Sequence, residues 1–170
     1  STVSQVGYIL VIIAVGARAP DALPALLFYL AAYALTNIGA FAVVAAHPAR
    51  TVDEFRGLGR RRPLLAIALI VSLLGLVGTP PTAVFVGKLT AFTAAFDGGM
   101  AWLAVLAAAN TVASLFYYLR WIAPLYRDER PELSQKDESR TARHGAVTAA
   151  ALSLVLGVAA GLILPLITTS

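Results

Sequence analysis

The feature that most constrains this chain is the stretch of residues 73–92, which reads LLGLVGTPPTAVFVGKLTAF. Its first apolar run favours a helix in a membrane, but Pro80 and Pro81 interrupt that helix, with Gly78 before them and Gly87 after them. A proline inside a helix removes a backbone hydrogen bond, costs about 3 kcal/mol and pushes the preceding residue out of the α region. We therefore predict a helix that is broken near residues 78–82.

A single cation, Lys88, follows the break. Counting back from Asp97 at 1.5 Å per residue places it about 13 Å below the far membrane surface, close to the midplane. A lysine at that depth costs roughly 2.5–3.5 kcal/mol, and unwound backbone in hydrocarbon is tolerated only where protein buries it or where it lines a wet cavity. We expect Lys88 to take up and release a proton; the alternative is a lysine that snorkels to the interface.

The composition indicates a membrane protein, because 59% of the 170 residues are hydrophobic and 13% are charged. Soluble domains carry about 25% charged residues. We predict an all-α, polytopic transmembrane bundle of about five helices in one transmembrane domain, at residues 1–15, 24–46, 64–96, 101–119 and 145–166. The segment 64–96 would measure roughly 50 Å if straight, so it must bend within a ~30 Å slab. The first segment is shorter than the ~20 residues of a full span and has no initiator methionine, so we expect a fragment of a larger subunit.

The residue composition also limits which cofactors, metals and partners the chain can bind. There are no cysteines, which excludes disulfides, Cys-ligated zinc, iron–sulfur clusters and c-type haem within these residues. His47 and His144 lie at the predicted loop edges, so we expect no metal site. The net charge of +4 comes from the loops and gives no indication of nucleic acid. The partner that the composition predicts is the lipid bilayer.

Basic residues predict the orientation of the helices. The connections after the second and fourth predicted helices carry five Lys or Arg each, whereas the first and third connections carry Arg18 alone. The five are Arg50, Arg56, Arg60, Arg61 and Arg62 in one loop and Arg127, Arg130, Lys136, Arg140 and Arg143 in the other. By the positive-inside rule these loops are cytoplasmic, which places the Ser1 end inside and the Ser170 end outside.

Polar residues at mid-depth form a candidate path for protons. They are Asn37 on the second helix, Thr79 and Thr82 at the break, Asn110 on the fourth helix, and Gln5 near the start. If these side chains face one another, they would order a water chain to Lys88. The alternative is ordinary hydrogen bonding between helices, worth about 1 kcal/mol. Gly157 and Gly161 form a GxxxG pattern in the last helix, for which close packing is a sufficient explanation.

Several segments together resemble the antiporter-like membrane subunits of respiratory complex I, and most closely the subunit N branch of that family. The segments are SQVGY (4–8), LFYLAAYALTNIGAFAVV (27–44), FRGLGRRRPLLA (55–66), GTPPTAVFVGK (78–88) and FYYLR (116–120). The resemblance is weak after residue 127. The combination of the GTPPTxxFxGK break with FRGLGRRRP before it is specific to the family.

The resemblance implies a proton-translocating membrane subunit of NADH–quinone oxidoreductase in the inner (plasma) membrane, of which these residues form the last helices. In that family the lysine of the broken helix, here Lys88, belongs to a chain of protonatable groups along the midplane. Many subunit N chains have histidine where Gln5 stands, and an amide cannot titrate. The chain would hold no cofactor, and NADH, flavin, iron–sulfur clusters and quinone would be bound by partner subunits beside other membrane subunits of complex I. The alternatives are a subunit of a related multisubunit cation/proton antiporter and a structural membrane protein.

Overall fold

Proline and glycine set the helix boundaries in the computed structural model, which describes residues 1–47, 51–127 and 139–168. Within these residues there are seven α-helices and two 3₁₀ helices and no strands, so the predicted all-α class is confirmed. The α-helices are α1 (Thr2–Val15), α2 (Ala22–Ala46), α3 (Leu58–Arg61), α4 (Pro63–Val77), α5 (Ala83–Asp97), α6 (Ala101–Ile122) and α7 (Arg140–Thr168), and the 3₁₀ helices are Val52–Phe55 and Ala123–Tyr126. Arg50, Arg130, Lys136 and Ser170 lie outside the described residues.

The count exceeds the predicted five helices for two reasons. The predicted helix 64–96 is two helices, α4 and α5, separated by residues 78–82. The loop after α2 also contains a 3₁₀ turn and the short helix α3, which begins after Gly57 in a left-handed conformation (φ 75°). Three helical segments are long and apolar enough to cross a membrane, namely Ala22–Ala46, Ala101–Tyr126 and Arg140–Pro165, while α1 and α4 are shorter apolar helices.

The break is built from three backbone features. Gly78 ends α4 with φ 88° and ψ 53°, a left-handed conformation that glycine adopts without the penalty of a Cβ. Its N–H donates to the Leu74 and Gly75 carbonyls. The Pro80–Pro81 peptide bond is cis, and Thr82, in an extended conformation, precedes α5. The chain therefore leaves one helix and starts the next within five residues.

Small residues let α2 pass through the centre of the bundle, where it packs against α4, α5 and α7. Ala25, Ala32 and Gly39 are buried on its inner face. A Cβ at Gly39 would lie 2.6 Å from the Ser72 hydroxyl of α4 and 3.4 Å from Ala149 of α7, so a larger residue there would require the Ser72 side chain to move.

Two apolar clusters lie on either side of the break. One contains Val43, Phe55, Leu65, Leu69 and Val77, and the other contains residues of α1, α2 and α5, among them Tyr8, Ile12, Tyr29, Ala83 and Val84. Because Val77 belongs to the first cluster and Ala83 to the second, the unwound segment joins the two halves of the core.

The two ends of the bundle differ in charge. At one end, which we call the basic end, α2 and α6 finish and α4 and α7 begin; the Ser139 N–H donates to the Ala46 carbonyl there. Among the described residues it carries Arg56, Arg60, Arg61, Arg62, Arg120, Arg127, Arg140 and Arg143 against Asp53 and Glu54. The opposite end, where Gly98 meets Val15, carries Arg18, Asp21 and Asp97.

Gly157 should be essential for packing α7 on the break, whereas Gly161 should not be. A Cβ at Gly157 would lie 2.0 Å from the Pro81 carbonyl oxygen and 2.5 Å from the Thr82 carbonyl carbon, and backbone cannot move aside as a side chain can. We expect Gly157→Ala to destabilise the protein by about 1–3 kcal/mol or more. Nothing lies within 4 Å of a Cβ at Gly161, so Gly161→Ala is the matched control. Thermal unfolding in detergent measures both, and equal melting temperatures for the two variants would contradict the contact.

Acid should weaken the basic end through His47. This residue is 5% exposed at the end of α2, with its ring stacked on Phe55 at a centroid distance of 5.0 Å. Burial, with Arg62 and Arg61 nearby, lowers the pKa of His47 to about 4. The unfolded chain, with a pKa near 6.5, therefore binds more protons, so stability falls as the pH drops from about 6.5 to about 4 and this contribution changes no further below that. Melting temperatures across this range should fall more steeply for wild type than for His47→Gln; parallel curves would rule out His47 as the cause.

Candidate functional site

Lys88 lies on the second turn of α5 and is 3% exposed. Its Nζ donates to the Val77 carbonyl at 2.7 Å and approaches the Leu76 carbonyl at 3.3 Å. Those oxygens are available because α4 ends at Val77, and the last four carbonyls of a helix have no intrahelical partner. The break thus creates the acceptors that hold the ammonium. The stem of the lysine also lies against Gly78, where a Cβ would be 2.8 Å from the Lys88 Cδ.

An aromatic ring covers the same ammonium. Nζ lies 4.4 Å from the centroid of the Tyr8 ring, within the range of a cation–π contact. Tyr8 in turn packs beside Tyr29 and Phe92, at centroid distances of 6.0 and 6.3 Å. Among the described residues no carboxylate pairs with Lys88. The charge is therefore held by carbonyl dipoles and a ring face, which stabilise it less than an ion pair would.

Gln5 reaches the same carbonyl as Lys88. Its side chain is fully buried, and Nε2 donates to the Leu76 oxygen at 2.9 Å. The Tyr29 hydroxyl donates to Gln5 Oε1 at 2.5 Å and so fixes the orientation of the amide. Tyr29 also packs against Gly87, where a Cβ would lie 2.9 Å from its ring. Gln5 and Lys88 thus share the Leu76 oxygen as a hydrogen-bond acceptor.

Polar contacts continue from Tyr8 toward the surface. Its hydroxyl donates to the Ala107 carbonyl at 2.9 Å and lies 2.5 Å from the Thr111 hydroxyl. Asn110 Nδ2 donates to the Tyr8 oxygen at 3.3 Å and to the Ser4 hydroxyl at 2.5 Å. Ser4, Tyr8 and Asn110 line an open cavity of about 520 Å³ between α1 and α6. A route of polar groups therefore connects the ring over Lys88 to an open surface.

The predicted polar residues do not all meet. Thr79 and Thr82 lie at the break but donate to nearby backbone, to the Leu74 carbonyl at 3.1 Å and to the Thr79 carbonyl at 2.7 Å, and so fix the shape of the turn. Asn37 is half-buried on α2, where it makes a long contact of 3.4 Å with the Tyr33 hydroxyl. Gln5 and Asn110 reach the surroundings of Lys88, Gln5 through the Leu76 carbonyl and Asn110 through Tyr8. Of the five candidate residues, the structure thus brings Gln5 and Asn110 towards Lys88, whereas Asn37, Thr79 and Thr82 bond the nearest backbone or hydroxyl group.

Sequence reasoning missed the groups that contact Lys88 most closely. Tyr8 follows Gln5 by three residues and so shares a helix face with it, a spacing that would have pointed to it. Thr36, beside Asn37, is the buried residue of that pair, and its hydroxyl lies 2.9 Å from that of Ser153 on α7. The Leu76 and Val77 carbonyls carry no side-chain signal, so only the position of the helix end identifies them.

The fold and the buried lysine at a helix break define an antiporter-like transmembrane subunit. A profile of the family described as NADH:quinone oxidoreductase/Mrp antiporter, TM, matches residues 1–114. The chain belongs to this family, so the resemblance read from its motifs is confirmed.

Individual relatives agree. Over 165 residues the chain is 63% identical to NADH-quinone oxidoreductase subunit N 1 of Streptomyces griseus, covering 96% of this chain and 35% of that protein. It is 57% identical to NADH-quinone oxidoreductase subunit N of Mycobacterium sp. (strain JLS), covering 99% of this chain and 36% of that protein. The chain thus spans about a third of the length of the curated relatives it matches.

Solved structures show the same architecture. Respiratory complex I from Thermus thermophilus with bound aureothin contains a chain that is 32% identical with a TM-score of 0.72, covering 95% of this chain and 43% of that one. The Mrp complex from Dietzia sp. DQ12-45-1b contains a chain with a TM-score of 0.82 at 23% identity, covering 97% and 40%, which shows a shared fold. Both neighbours are multi-subunit membrane assemblies.

A double-mutant cycle tests the hydrogen bonds around Gln5. Replacing Gln5 with leucine removes the acceptor of the Tyr29 hydroxyl and a donor to the Leu76 carbonyl, both buried, and we expect a loss of about 1–3 kcal/mol. Adding Tyr29→Phe removes the stranded hydroxyl, so the double variant should recover part of that loss. Unfolding free energies in mixed micelles give the coupling, and strictly additive losses would show that the two side chains do not interact.

Proposed function

We propose that this chain is part of a membrane subunit of NADH–quinone oxidoreductase that moves protons across the membrane, and that Lys88 carries the proton in this part of the path. The observation that supports the role of Lys88 is its burial at a helix break, held by neutral groups alone among the described residues. A buried cation within membrane depth is costly and marks a pathway for ions or protons. Family membership and the identity to subunit N relatives support the redox assembly.

The chemistry at Nζ is a single proton exchange with water. In the charged state, the Val77 and Leu76 carbonyls and the Tyr8 ring stabilise the ammonium. Loss of the proton leaves a neutral amine, and the carbonyls then lose a charge-assisted donor. The polar groups from Tyr8 to Ser4, which border the open cavity, offer one side from which water approaches.

The break gives this exchange a means of control. The acceptors of Lys88 are on α4, whereas Lys88 itself is on α5, so a small shift between these helices changes how well the ammonium is held. In the proposed assembly, the energy for that shift comes from quinone reduction in partner subunits. This chain acts as a non-redox membrane subunit, with NADH, flavin, iron–sulfur clusters and quinone bound elsewhere and other membrane subunits beside it.

The charge asymmetry of the bundle supports an orientation. We place the basic end on the cytoplasmic side of the plasma membrane, since eight of its described residues are arginine and the opposite end has Arg18 with two aspartates. The Ser1 end is then cytoplasmic and the Ser170 end extracytoplasmic.

A second candidate is a subunit of a multisubunit cation/proton antiporter. It is favoured by the fold shared with the Mrp complex and by a family description that includes both kinds of protein. The chemistry proposed for Lys88 is the same in both, and the partners differ. Purification of the full-length protein in gentle detergent separates them, because NADH-to-quinone activity should accompany it in the first case and sodium-dependent proton flux without that activity in the second.

Lys88→Met in the full-length protein should abolish its proton transfer. We expect the protons moved per electron through this subunit to fall by at least about 100-fold, the lower end of what a dedicated proton-transfer group contributes. Lys88→Arg keeps the charge but does not release its proton, so it should be equally impaired while assembling normally. Proteoliposomes with a pH-sensitive dye and a parallel assay of quinone reduction give the ratio. Unchanged pumping per electron in the methionine variant would remove Lys88 from the path.

A further inference from the structure

A second site lies at the basic end, away from Lys88. The last turn of α6 and the two 3₁₀ helices enclose an open hollow of about 630 Å³. Its walls are formed by Val52, Asp53, Tyr117, Arg120, Trp121, Ala123, Pro124 and Arg127. The hollow thus combines two guanidinium groups and two aromatic side chains with an apolar floor.

The hollow presents positively charged side chains that are accessible to a ligand. Arg120 and Arg127 are exposed, and within the part of the chain that the structure describes neither guanidinium group has an ion-pair or hydrogen-bond partner. The one carboxylate in the lining, Asp53, forms an ion pair with Arg56, with 3.0 Å between Nε and Oδ1. Among the described residues that line the hollow, the Arg120 and Arg127 guanidinium groups therefore remain without a carboxylate partner.

The depth of the hollow matches the phosphate layer of a bilayer. Helix α6 has 22 residues, about 33 Å, so it crosses the ~30 Å hydrocarbon core and its last turn emerges at the interface. Tyr117 and Trp121 lie in that last part, where aromatic rings sit among headgroups, and Arg120 lies between them. The cations are therefore at the level of lipid phosphates rather than in bulk water.

The wall of the hollow is rigid. Trp121 packs on Phe55 at a centroid distance of 5.3 Å, and Phe55 stacks on the buried His47. Pro124, also in the lining, is buried. A wall already fixed in place loses little conformational entropy when a ligand binds.

We propose that this hollow binds the headgroup phosphate of an anionic phospholipid. Arg120 and Arg127 donate to the phosphate oxygens, Tyr117 and Trp121 border the glycerol region, and Val52, Ala123 and Pro124 contact the start of the acyl chains. The proposal rests on the membrane location of α6 and not on proton transfer by Lys88, so either can fail without the other.

The test is native mass spectrometry of the full-length protein titrated with phosphatidylglycerol or phosphatidylcholine in detergent. The double variant Arg120→Gln/Arg127→Gln should weaken binding of the first phosphatidylglycerol by about 30-fold. Each single variant should weaken it by about fivefold, which is the affinity that one basic residue near an anionic surface contributes. Phosphatidylcholine binding should not change. The control pair Arg18→Gln/Arg140→Gln removes the same charge outside the hollow and should bind phosphatidylglycerol as wild type does.

Three results would overturn the proposal. The first is wild-type phosphatidylglycerol binding by the hollow variants, read from the single variants if the double variant does not fold. The second is an equal loss in the control pair, which would mean a diffuse charge effect. The third is displacement of the lipid by millimolar inorganic phosphate, which would indicate a site for a free anion.

Discussion

The contact on which this structure depends is the one between the Lys88 ammonium and the free carbonyls at the end of α4. A helix that continued through residues 78–82 would use those carbonyls in its own hydrogen bonds. A helix that ended elsewhere would leave the lysine without acceptors in an apolar core, which is strongly unfavourable. The break and the cation thus require each other, and neither is stable in hydrocarbon alone.

The rest of the bundle keeps these two groups together. Helix α7 lies directly on the unwound peptide through Gly157, and α2 passes close to α4 through Gly39. Tyr29 of α2 packs on Gly87, one residue before Lys88, and holds the Gln5 amide that shares the Leu76 carbonyl. Each contact is a close approach of backbone or a buried hydrogen bond, and both kinds fix position more sharply than general apolar packing does.

A neutral amide at Gln5 is compatible with the proton transfer proposed for Lys88. The amide does not exchange a proton, but it competes with Lys88 for one acceptor oxygen. When the ammonium binds more strongly to Val77, the Leu76 oxygen remains satisfied by Gln5. The amide therefore keeps the Leu76 carbonyl hydrogen-bonded in both protonation states of the lysine, while the Val77 carbonyl depends on the ammonium.

Much of the architecture was determined by the sequence alone. Two prolines between glycines require a break, the apolar composition requires membrane helices, and a deep lysine requires an internal site, because each follows from local sterics or from transfer free energy. The tertiary structure decided which polar groups serve that site. Adjacent residues on a helix point about 100° apart, so Thr36 is fully buried while Asn37 is only half-buried, and composition does not distinguish them. The positions of the Tyr8 ring and of the Leu76 and Val77 carbonyls relative to Lys88 depend on how α1, α4 and α5 pack together. These distances between helices cannot be read from the sequence.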